Sequence, residues 1–253
     1  MRLHRFYIDQ KIGGIEEITL TDSELIHQLV NVFRFKAGDK VILFDGSGFE
    51  YEAEITTISK KEIKLNPLVK TQGKDALNKK NNVSLYLSLI KKSNFELAVE
   101  KCTEIGVTEI HPIISERSEK KDLNLERLNK IVKEASEQSG RVTLPQVFEI
   151  TDLEKAVSQA VAEGKECVTF HTATDSYTAP LNNLIRHKND TFPSTDGKVS
   201  LKPTAAFVGP EGGWSEKEME LFKKNNFKIL SLGQNILRAE TAAIIATWNS
   251  LNN

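Results

Sequence analysis

Hydrophobic and polar residues alternate with a period of two in short segments of the first 72 residues. Residues 41–44 and 49–55 are two such segments, and the turn residues Asp-Gly-Ser-Gly at 45–48 separate them. Alternation of this kind is typical of strands with one buried face, and glycine-rich turns join such strands into hairpins. The pattern predicts a small antiparallel β-barrel over residues 1–72.

One helix is predicted to interrupt this barrel. Residues 21–24, Thr-Asp-Ser-Glu, have the sequence of a capping box. Behind it, apolar side chains recur at helical spacing. They are Leu25, Ile26, Leu29, Val30 and Phe33.

Residues 73–82 are polar and lack periodicity, which is typical of a linker between domains. After residue 82, strands alternate with helices, and this order predicts an α/β domain over residues 83–253. The predicted strands are 83–90, 108–114, 166–170, 204–208 and 227–231. The predicted helices begin with a capping box at residues 93–96 and continue at 124–139, 152–162, 215–225 and 239–251.

Composition narrows the class of protein. The chain has 253 residues, of which 39% are hydrophobic and 27% charged, so disordered, collagen-like and membrane classes are excluded and a soluble globular protein is expected. The 34 basic and 35 acidic side chains nearly cancel, and any binding of nucleic acid must therefore be local. No apolar run could cross a bilayer and the amino terminus lacks a signal sequence, so we expect an intracellular protein.

Cysteine and histidine usage argues against a disulfide scaffold and a metal site. Cys102 and Cys167 lie far apart, and the five histidines form no ligand motif. Cys102 shares an apolar helix face with Phe95 and Ile105, which predicts a packed core thiol and not a nucleophile.

Two glycine-bearing turns are the strongest candidates for a ligand site, because each follows an apolar strand and precedes a helix. The first is Gly-Pro-Glu-Gly-Gly at residues 209–213, and the second begins at Leu232. Glycine lets the backbone approach a flat ligand, and open α/β sheets bind ligands beyond the carboxyl ends of their strands. Neither turn matches the dinucleotide or P-loop fingerprints, so NAD and ATP are not indicated.

With these motifs the sequence resembles the RsmE family of ribosomal RNA methyltransferases, within the SPOUT superfamily of trefoil-knotted enzymes. The strongest marks are the turn at 209–213 and the LGxxILRxETA run that begins at Leu232. Four shorter motifs agree, in family order: Leu-Phe-Asp-Gly at 43–46, Glu-Ile-Gly-Val at 104–107, Ser-Glu-Arg-Ser at 115–118 and Glu-Gln-Ser-Gly-Arg at 137–141. Because they span nearly the whole chain, the resemblance is specific.

The resemblance implies a fold and an activity. The fold is a PUA-like RNA-binding β-barrel over 1–72, a linker over 73–82 and a SPOUT-type α/β domain with a deep trefoil knot over 83–253, a rare exception to the rule against threaded connections. The activity is methylation of N3 of one uridine in 16S rRNA of the small ribosomal subunit, with S-adenosylmethionine as cofactor. A cytoplasmic homodimer with no metal and no membrane partner is expected.

The resemblance also implies a cofactor site at three loops near the carboxyl terminus. Transferred by position, the cofactor-binding residues are His171, Gly209, Pro210, Glu211, Gly212, Gly213, Leu232, Gly233, Asn235, Ile236 and Leu237. Within the same loops, Glu211 is the candidate general base for the uracil N3 proton, and Arg238 is the candidate for stabilising the resulting anion. Two alternatives stay open: Glu211 holds its loop through backbone N–H groups, or Arg238 pairs with Glu211 or Glu240.

Basic side chains on both predicted domains are candidates for RNA contact. They are Arg5, Arg34, Lys91, Arg117 and Arg141, and each could instead be an ordinary surface charge. Arginine binds phosphate through two parallel hydrogen bonds or stacks on a base, which favours Arg34 and Arg141 over the lysine. Two other functions remain open at this point: a non-catalytic RNA-binding or ribosome-assembly factor, and a related methyltransferase with a different RNA target.

Overall fold

A computed structural model of the protein describes residues 3–73, 82–118, 122–171, 179–180 and 203–252. The chain divides into two compact units. Unit 1 comprises Met1–Asn78 and Ser136–Leu144, and unit 2 comprises Lys79–Ala135 and Pro145–Asn253. Residues 74–81 of the predicted linker lie outside the described part. None of the helices that the structure describes is both long enough and apolar enough to cross a membrane.

Unit 1 is built on a five-stranded sheet in the order β1-β3-β4-β5-β2. Strands β3, β4, β5 and β2 pair antiparallel, as alternation and turn residues predict, whereas β1 pairs parallel to β3. One face packs into a core that includes Phe6, Leu43 and Ile55, each at most 1% exposed. The strands are β1 Arg5–Tyr7, β2 Ile18–Leu20, β3 Lys40–Phe44, β4 Phe49–Ile58 and β5 Ile63–Gln72.

The predicted helix of this unit is confirmed, with a change of geometry in its second half. Helix α1 covers Ser23–His27 and continues as a π-helical turn over Gln28–Val32. The capping residue is Asp22, not Thr21, because the Asp22 carboxylate accepts hydrogen bonds from the backbone N–H groups of Glu24 and Leu25.

The segment Ser136–Leu144 belongs to unit 1 although it follows residues of unit 2, whereas the sequence predicted a single division at residues 73–82. The Glu137 carboxylate accepts a 2.9 Å hydrogen bond from the Tyr7 backbone N–H. A Cβ atom at Gly73 would lie 2.0 Å from Val142, so this close approach requires glycine. The amino-terminal strands are thus tied to a segment more than 60 residues downstream in the sequence.

Unit 2 is an α/β structure, as predicted, with an eight-stranded sheet in the order β11-β13-β10-β12-β6-β7-β8 and β9 beside β7. All its strand pairs are parallel, and every residue of β6 and β12 is buried, as expected for a sheet covered on both faces. The strands are β6 Val83–Ser88, β7 Glu109–Ile114, β8 Gln146–Val147, β9 Thr151–Asp152, β10 Glu166–Phe170, β11 Ala179–Pro180, β12 Thr204–Val208 and β13 Lys228–Ser231.

In the part of the chain that the structure describes, five further helices connect or follow these strands: α2 Lys92–Ile105, α3 Leu125–Ser139, α4 Leu153–Ala162, α5 Glu216–Lys224 and α6 Ala239–Asn252. The capping box predicted for α5 is present at Ser215 and Glu218. The capping box predicted for α2 is wrong. The helix begins at Lys92, and Ser93 therefore lies inside its first turn. The residue at the capping position is Lys91, whose side chain makes no capping hydrogen bond.

Cys102 is a core thiol, as predicted, and is fully buried in α2. The Thr247 hydroxyl donates to its sulfur at 3.4 Å, and burial raises the pKa of the thiol to about 12. The trefoil knot stays a prediction, because the connection from β10 to β12 passes through residues 172–178 and 181–202, outside the described part of the chain.

Candidate active site

Three neighbouring strands of unit 2, in the order β13-β10-β12, end together at one edge of the sheet. Phe170 pairs with Leu230 and Thr169 pairs with Phe207, so His171, Gly209 and Leu232 follow strand ends that lie side by side. A cavity of about 540 Å³ opens at this edge. Its position agrees with the rule that open α/β sheets bind ligands beyond the carboxyl ends of parallel strands.

All eleven residues predicted to bind the cofactor line this cavity, and so do both candidate catalytic residues, Glu211 and Arg238. Arg117, which the sequence predicted as an RNA contact, also lines it. Sequence reasoning missed six further lining residues: Phe170, Val208, Trp214, Ser231, Ala239 and Ala242. Three of these residues, Phe170, Val208 and Ser231, are the last residues of strands β10, β12 and β13. Their position at strand ends points to the site only when the order of the strands in the sheet is known.

The first glycine turn is compact and closely packed. The Gly213 N–H donates to the Pro210 carbonyl at 2.9 Å, which closes a turn around Glu211 and Gly212, and Gly213 has a φ of 67°. A Cβ atom at Gly209 would lie 3.1 Å from the buried Trp214 ring. Glycine is therefore favoured at both ends of this turn, for backbone conformation at Gly213 and for space at Gly209.

A second loop of unit 2 holds this turn in place. The Arg117 guanidinium donates to the carbonyl oxygens of Gly212 at 2.7 Å and Trp214 at 3.4 Å. Beside it, Glu218 accepts the Glu116 N–H at 2.8 Å, which ties the same loop to the start of α5. Arg117 is thus engaged by the glycine turn, which argues for a positioning role over the predicted RNA contact.

The second glycine turn is fixed by the last residue of β13. The Ser231 hydroxyl donates to the Gly233 carbonyl at 2.9 Å and accepts the Gly233 N–H at 3.3 Å. Gly233 has a φ of 138°, a conformation that favours glycine. Further along, Ile236 is 84% exposed and lines the cavity, so an apolar side chain stands at the cavity wall in contact with solvent.

Glu211 and Arg238 are exposed, and neither side chain makes a hydrogen bond or ion pair with another described residue. The alternatives considered for them, a loop-holding bond from Glu211 and an ion pair of Arg238 with Glu211 or Glu240, are therefore not formed in this structure. Glu240, unlike Glu211 and Arg238, is buried: it is 6% exposed. Its Oε2 atom has no hydrogen-bond partner among the described residues. This buried carboxylate at the start of α6 has no capping bond on that oxygen.

The cavity suits a ligand that is flat and partly polar. Phe170, Val208 and Leu237 supply apolar wall, while the indole N–H of Trp214 is buried without a hydrogen-bond partner in the described structure. The volume falls in the range of small-molecule sites, about 300–1,000 Å³. A nucleoside-sized cofactor therefore fits, and its assignment here stays a prediction.

The remaining candidates for RNA contact differ in their surroundings. In unit 1, Arg5 is paired with Glu50 and also donates to the Arg141 carbonyl at 3.3 Å. Arg141 is 7% exposed and donates to the Thr143 hydroxyl, so it would have to move to reach a phosphate. Arg34 is exposed.

In unit 2, Lys91 lines a second cavity of about 590 Å³ together with Lys92, Ser93, Glu96, Asn124 and Arg127. No group of three or more histidine, cysteine, aspartate or glutamate side chains that could hold a metal ion occurs in the described ranges.

Two family models match the chain in sequence. An RNA methyltransferase domain matches residues 77–249, and an RNA methyltransferase PUA domain matches residues 20–68. Among curated proteins, ribosomal RNA small subunit methyltransferase E of Rickettsia conorii is 32% identical over 97% of this chain and 94% of its own. The protein of the same name from Synechocystis is 32% identical over 90% of this chain and 71% of its own.

Solved structures resemble the whole chain as well. The Neisseria gonorrhoeae ribosomal RNA small subunit methyltransferase E bound to S-adenosylmethionine superposes with a TM-score of 0.81 at 27% identity, covering 97% of this chain and 95% of that one. A Legionella pneumophila methyltransferase in complex with the same cofactor gives a TM-score of 0.80 at 26% identity, covering 98% and 96%.

Proposed function

The chain belongs to the family of ribosomal RNA small subunit methyltransferase E, and on this premise we propose that it methylates N3 of one uridine in 16S rRNA with S-adenosylmethionine as methyl donor. The observation that carries the proposal is the cavity at the carboxyl ends of β10, β12 and β13, lined by every residue that the family resemblance assigned to the cofactor. A substrate in the small ribosomal subunit implies a cytoplasmic enzyme.

The two glycine turns would hold the donor. Their backbone N–H and carbonyl groups border the cavity, and Phe170 and Leu237 offer apolar surface to the adenine. Bound there, S-adenosylmethionine supplies a methyl group on a positively charged sulfur, and transfer leaves a neutral thioether. Arg117 keeps the first turn in shape through its hydrogen bond to Gly212.

The acceptor nitrogen of uracil carries a proton that must leave before N3 can form a bond to carbon. Glu211, exposed at the cavity without a partner among the described residues, would accept that proton as general base. The negative charge that develops on the uracil ring spreads to its two carbonyl oxygens. Arg238, also exposed at the cavity, would stabilise it through charge-assisted hydrogen bonds.

Two further parts of the chain support substrate binding and assembly. Unit 1 contains the residues matched by the PUA model and would bind the RNA around the target uridine. Helix α6 is apolar on more than one side: Ala243 and Ala246 are buried, while Trp248 stays 55% exposed. An exposed apolar helix face of this kind is typical of an interface, and we propose that α6 joins two copies in a homodimer.

The test is methylation of small-subunit rRNA by the purified protein, followed by mass spectrometry of the nucleosides. We expect 3-methyluridine at one position, with wild-type protein and S-adenosylmethionine both required. Binding of RNA without cofactor affinity would instead indicate a ribosome-assembly factor. A methylated nucleoside other than 3-methyluridine would indicate a related enzyme with another target.

A further inference from the structure

A cluster of aromatic rings lies on the surface of unit 1, where the π-helical turn ends. Phe33 and Phe35 are stacked, with ring centroids 5.7 Å apart and planes at 24°, and the His4 ring lies 4.4 Å from Phe33. Beneath them, Phe6 makes edge contacts with both phenylalanines at 5.5 and 6.3 Å and is 1% exposed. We call the three outer rings, His4, Phe33 and Phe35, the aromatic platform.

The platform is fixed from below and open from above. Phe33 and Phe35 are half-buried and pack against the core of unit 1, while His4 is exposed. Val32, beside them, is 62% exposed. Rings held by a core lose little conformational entropy when a flat ligand stacks on them, because their positions are already set.

Two cations accompany these rings. Arg34 lies between the two phenylalanines in sequence and Lys36 follows them, and both are exposed with no side-chain hydrogen bond or ion pair to any residue the structure describes. The nearby Asp39 carboxylate accepts the Lys36 backbone N–H at 2.7 Å, so it closes a turn and leaves the ammonium group unpaired.

The backbone at Arg34 is strained for a residue with a side chain. Its φ is 59°, in the left-handed region, where the position after a helix usually carries glycine. A residue with a Cβ atom is disfavoured in this region, so glycine would be the more stable choice. Backbone strain of this kind is concentrated at functional sites, because the surrounding structure must hold the unfavourable backbone conformation.

We propose that the aromatic platform binds an unpaired nucleotide of the RNA substrate, whose base stacks on the rings while Arg34 and Lys36 contact its phosphates. This inference rests on the proposed function, which makes RNA the substrate. Unpaired bases expose a flat surface that stacks on phenylalanine and histidine, and flanking phosphates match the two cations. A base-paired helix hides those surfaces, so the platform selects single-stranded RNA.

The test compares two labelled RNAs of equal length, one single-stranded and one a paired hairpin, in fluorescence anisotropy with the full chain. Phe33→Leu and Phe35→Leu keep an apolar side chain toward the core and remove the ring. Each should weaken binding of the single strand at least about fivefold and leave the hairpin nearly unaffected. Phe49→Leu is the matched control, because Phe49 is a half-buried ring on the same core outside the platform.

Arg34→Gly separates a binding role from a structural one. Relief of the left-handed strain should raise the urea midpoint of unfolding, while RNA affinity falls and its salt dependence becomes shallower by about one unit of slope. A gain in stability with unchanged RNA affinity would show that Arg34 only ends the helix, and would overturn the phosphate contact.

Equal losses for single strand and hairpin overturn the platform itself, and so does a loss in Phe49→Leu as large as in Phe33→Leu. Binding of an acidic peptide in preference to RNA would also overturn it. The proposed function is tested separately by 3-methyluridine formation with the wild-type chain. If 3-methyluridine forms while the platform variants bind RNA normally, the platform proposal is wrong and the proposed function stands. If 3-methyluridine does not form while the platform variants lose binding of the single strand, the proposed function is wrong and the platform proposal stands.

Discussion

Arg117 donates a 2.7 Å hydrogen bond to the carbonyl oxygen of Gly212, 95 residues further along the chain. The side chain also packs against this glycine, since a Cβ atom at Gly212 would be 3.3 Å from Arg117 Cδ. One arginine therefore sets both the direction of a carbonyl and the path of the turn that carries Glu211. This contact connects a loop after β7 with the candidate cofactor site.

Replacement of Arg117 tests this contact. Arg117→Ala should weaken S-adenosylmethionine binding about tenfold or more, because a charge-assisted hydrogen bond contributes about 1.5–3 kcal/mol. Arg117→Lys keeps the charge but not the planar group, and should recover part of the loss. Calorimetric titration with the cofactor measures both. Unchanged cofactor affinity with a loss of RNA affinity would return Arg117 to the RNA-contact role predicted from sequence.

Gly209→Ala should damage the first turn through steric overlap. The added methyl group would lie 3.1 Å from the Trp214 ring, which is 3% exposed and has little room to move. We expect a loss of about 1–3 kcal/mol in the free energy of unfolding together with weaker cofactor binding. Gly13→Ala is the control, because its methyl group meets only the Tyr51 hydroxyl at 3.4 Å. Equal effects of the two substitutions on cofactor affinity would contradict this account.

Glu211→Gln separates proton removal from loop holding. Glutamine has nearly the same shape but cannot accept the N3 proton, so turnover should fall about 100-fold or more while cofactor affinity stays near the wild-type value. Single-turnover methylation and calorimetry give the two numbers. A parallel loss of turnover and cofactor affinity would favour the loop-holding alternative.

Glu109 is expected to make stability depend on acidity. It accepts hydrogen bonds from His111 Nε2 at 3.1 Å, Lys165 Nζ at 2.7 Å and the Ser84 hydroxyl at 2.6 Å. These contacts, the one from His111 foremost, hold the pKa of Glu109 well below its usual value despite partial burial. A carboxylate with a lowered pKa in the folded state stabilises the fold above its unfolded pKa of about 4.3, and this contribution is lost progressively as the pH falls from that value through the lower pKa of the folded state.

Urea unfolding between about pH 3 and pH 7 measures this contribution. The free energy of unfolding should decrease below about pH 4.5, and Glu109→Gln should make the decrease shallower. Glu17→Gln removes an ion pair with Lys64 between two partly exposed side chains and serves as the control with little effect on the slope. An unaltered slope in Glu109→Gln would assign the acid sensitivity to other carboxylates.

The proposed dimer interface on α6 predicts a change in assembly. Ile245 is half-buried in the single chain, one turn before the exposed Trp248. Ile245→Asp places a charge on this apolar face and should weaken association of two copies, because an unpaired charge is costly to bury. Sedimentation velocity over a range of concentrations measures the change, and a dimer of unchanged strength would move the interface elsewhere.

Local sequence patterns predicted the helices and the five longer strands of unit 2 to within a few residues, but not its short strands β8, β9 and β11. Strands β10 and β12 have the predicted bounds, and the capping box of α5 forms at Ser215. The spacing of apolar residues indicates which side of a strand or helix is buried, and this spacing involves only residues that are close together in the sequence. Two details differ from the prediction. The residue that precedes helix α2 is Lys91 and not Ser93, and helix α1 continues as a π-helical turn.

The two glycine turns were recognisable from sequence because each is one continuous segment of the chain, whereas the roles of the individual site residues came from the family resemblance and stay predictions. The tertiary structure alone decided what meets the turns: Arg117 reaches Gly212, and Trp214 closes on Gly209. It also placed Ser136–Leu144 in unit 1 and brought His4 against Phe33. Contacts between distant segments depend on strand order and packing in three dimensions, and no period in the sequence encodes them.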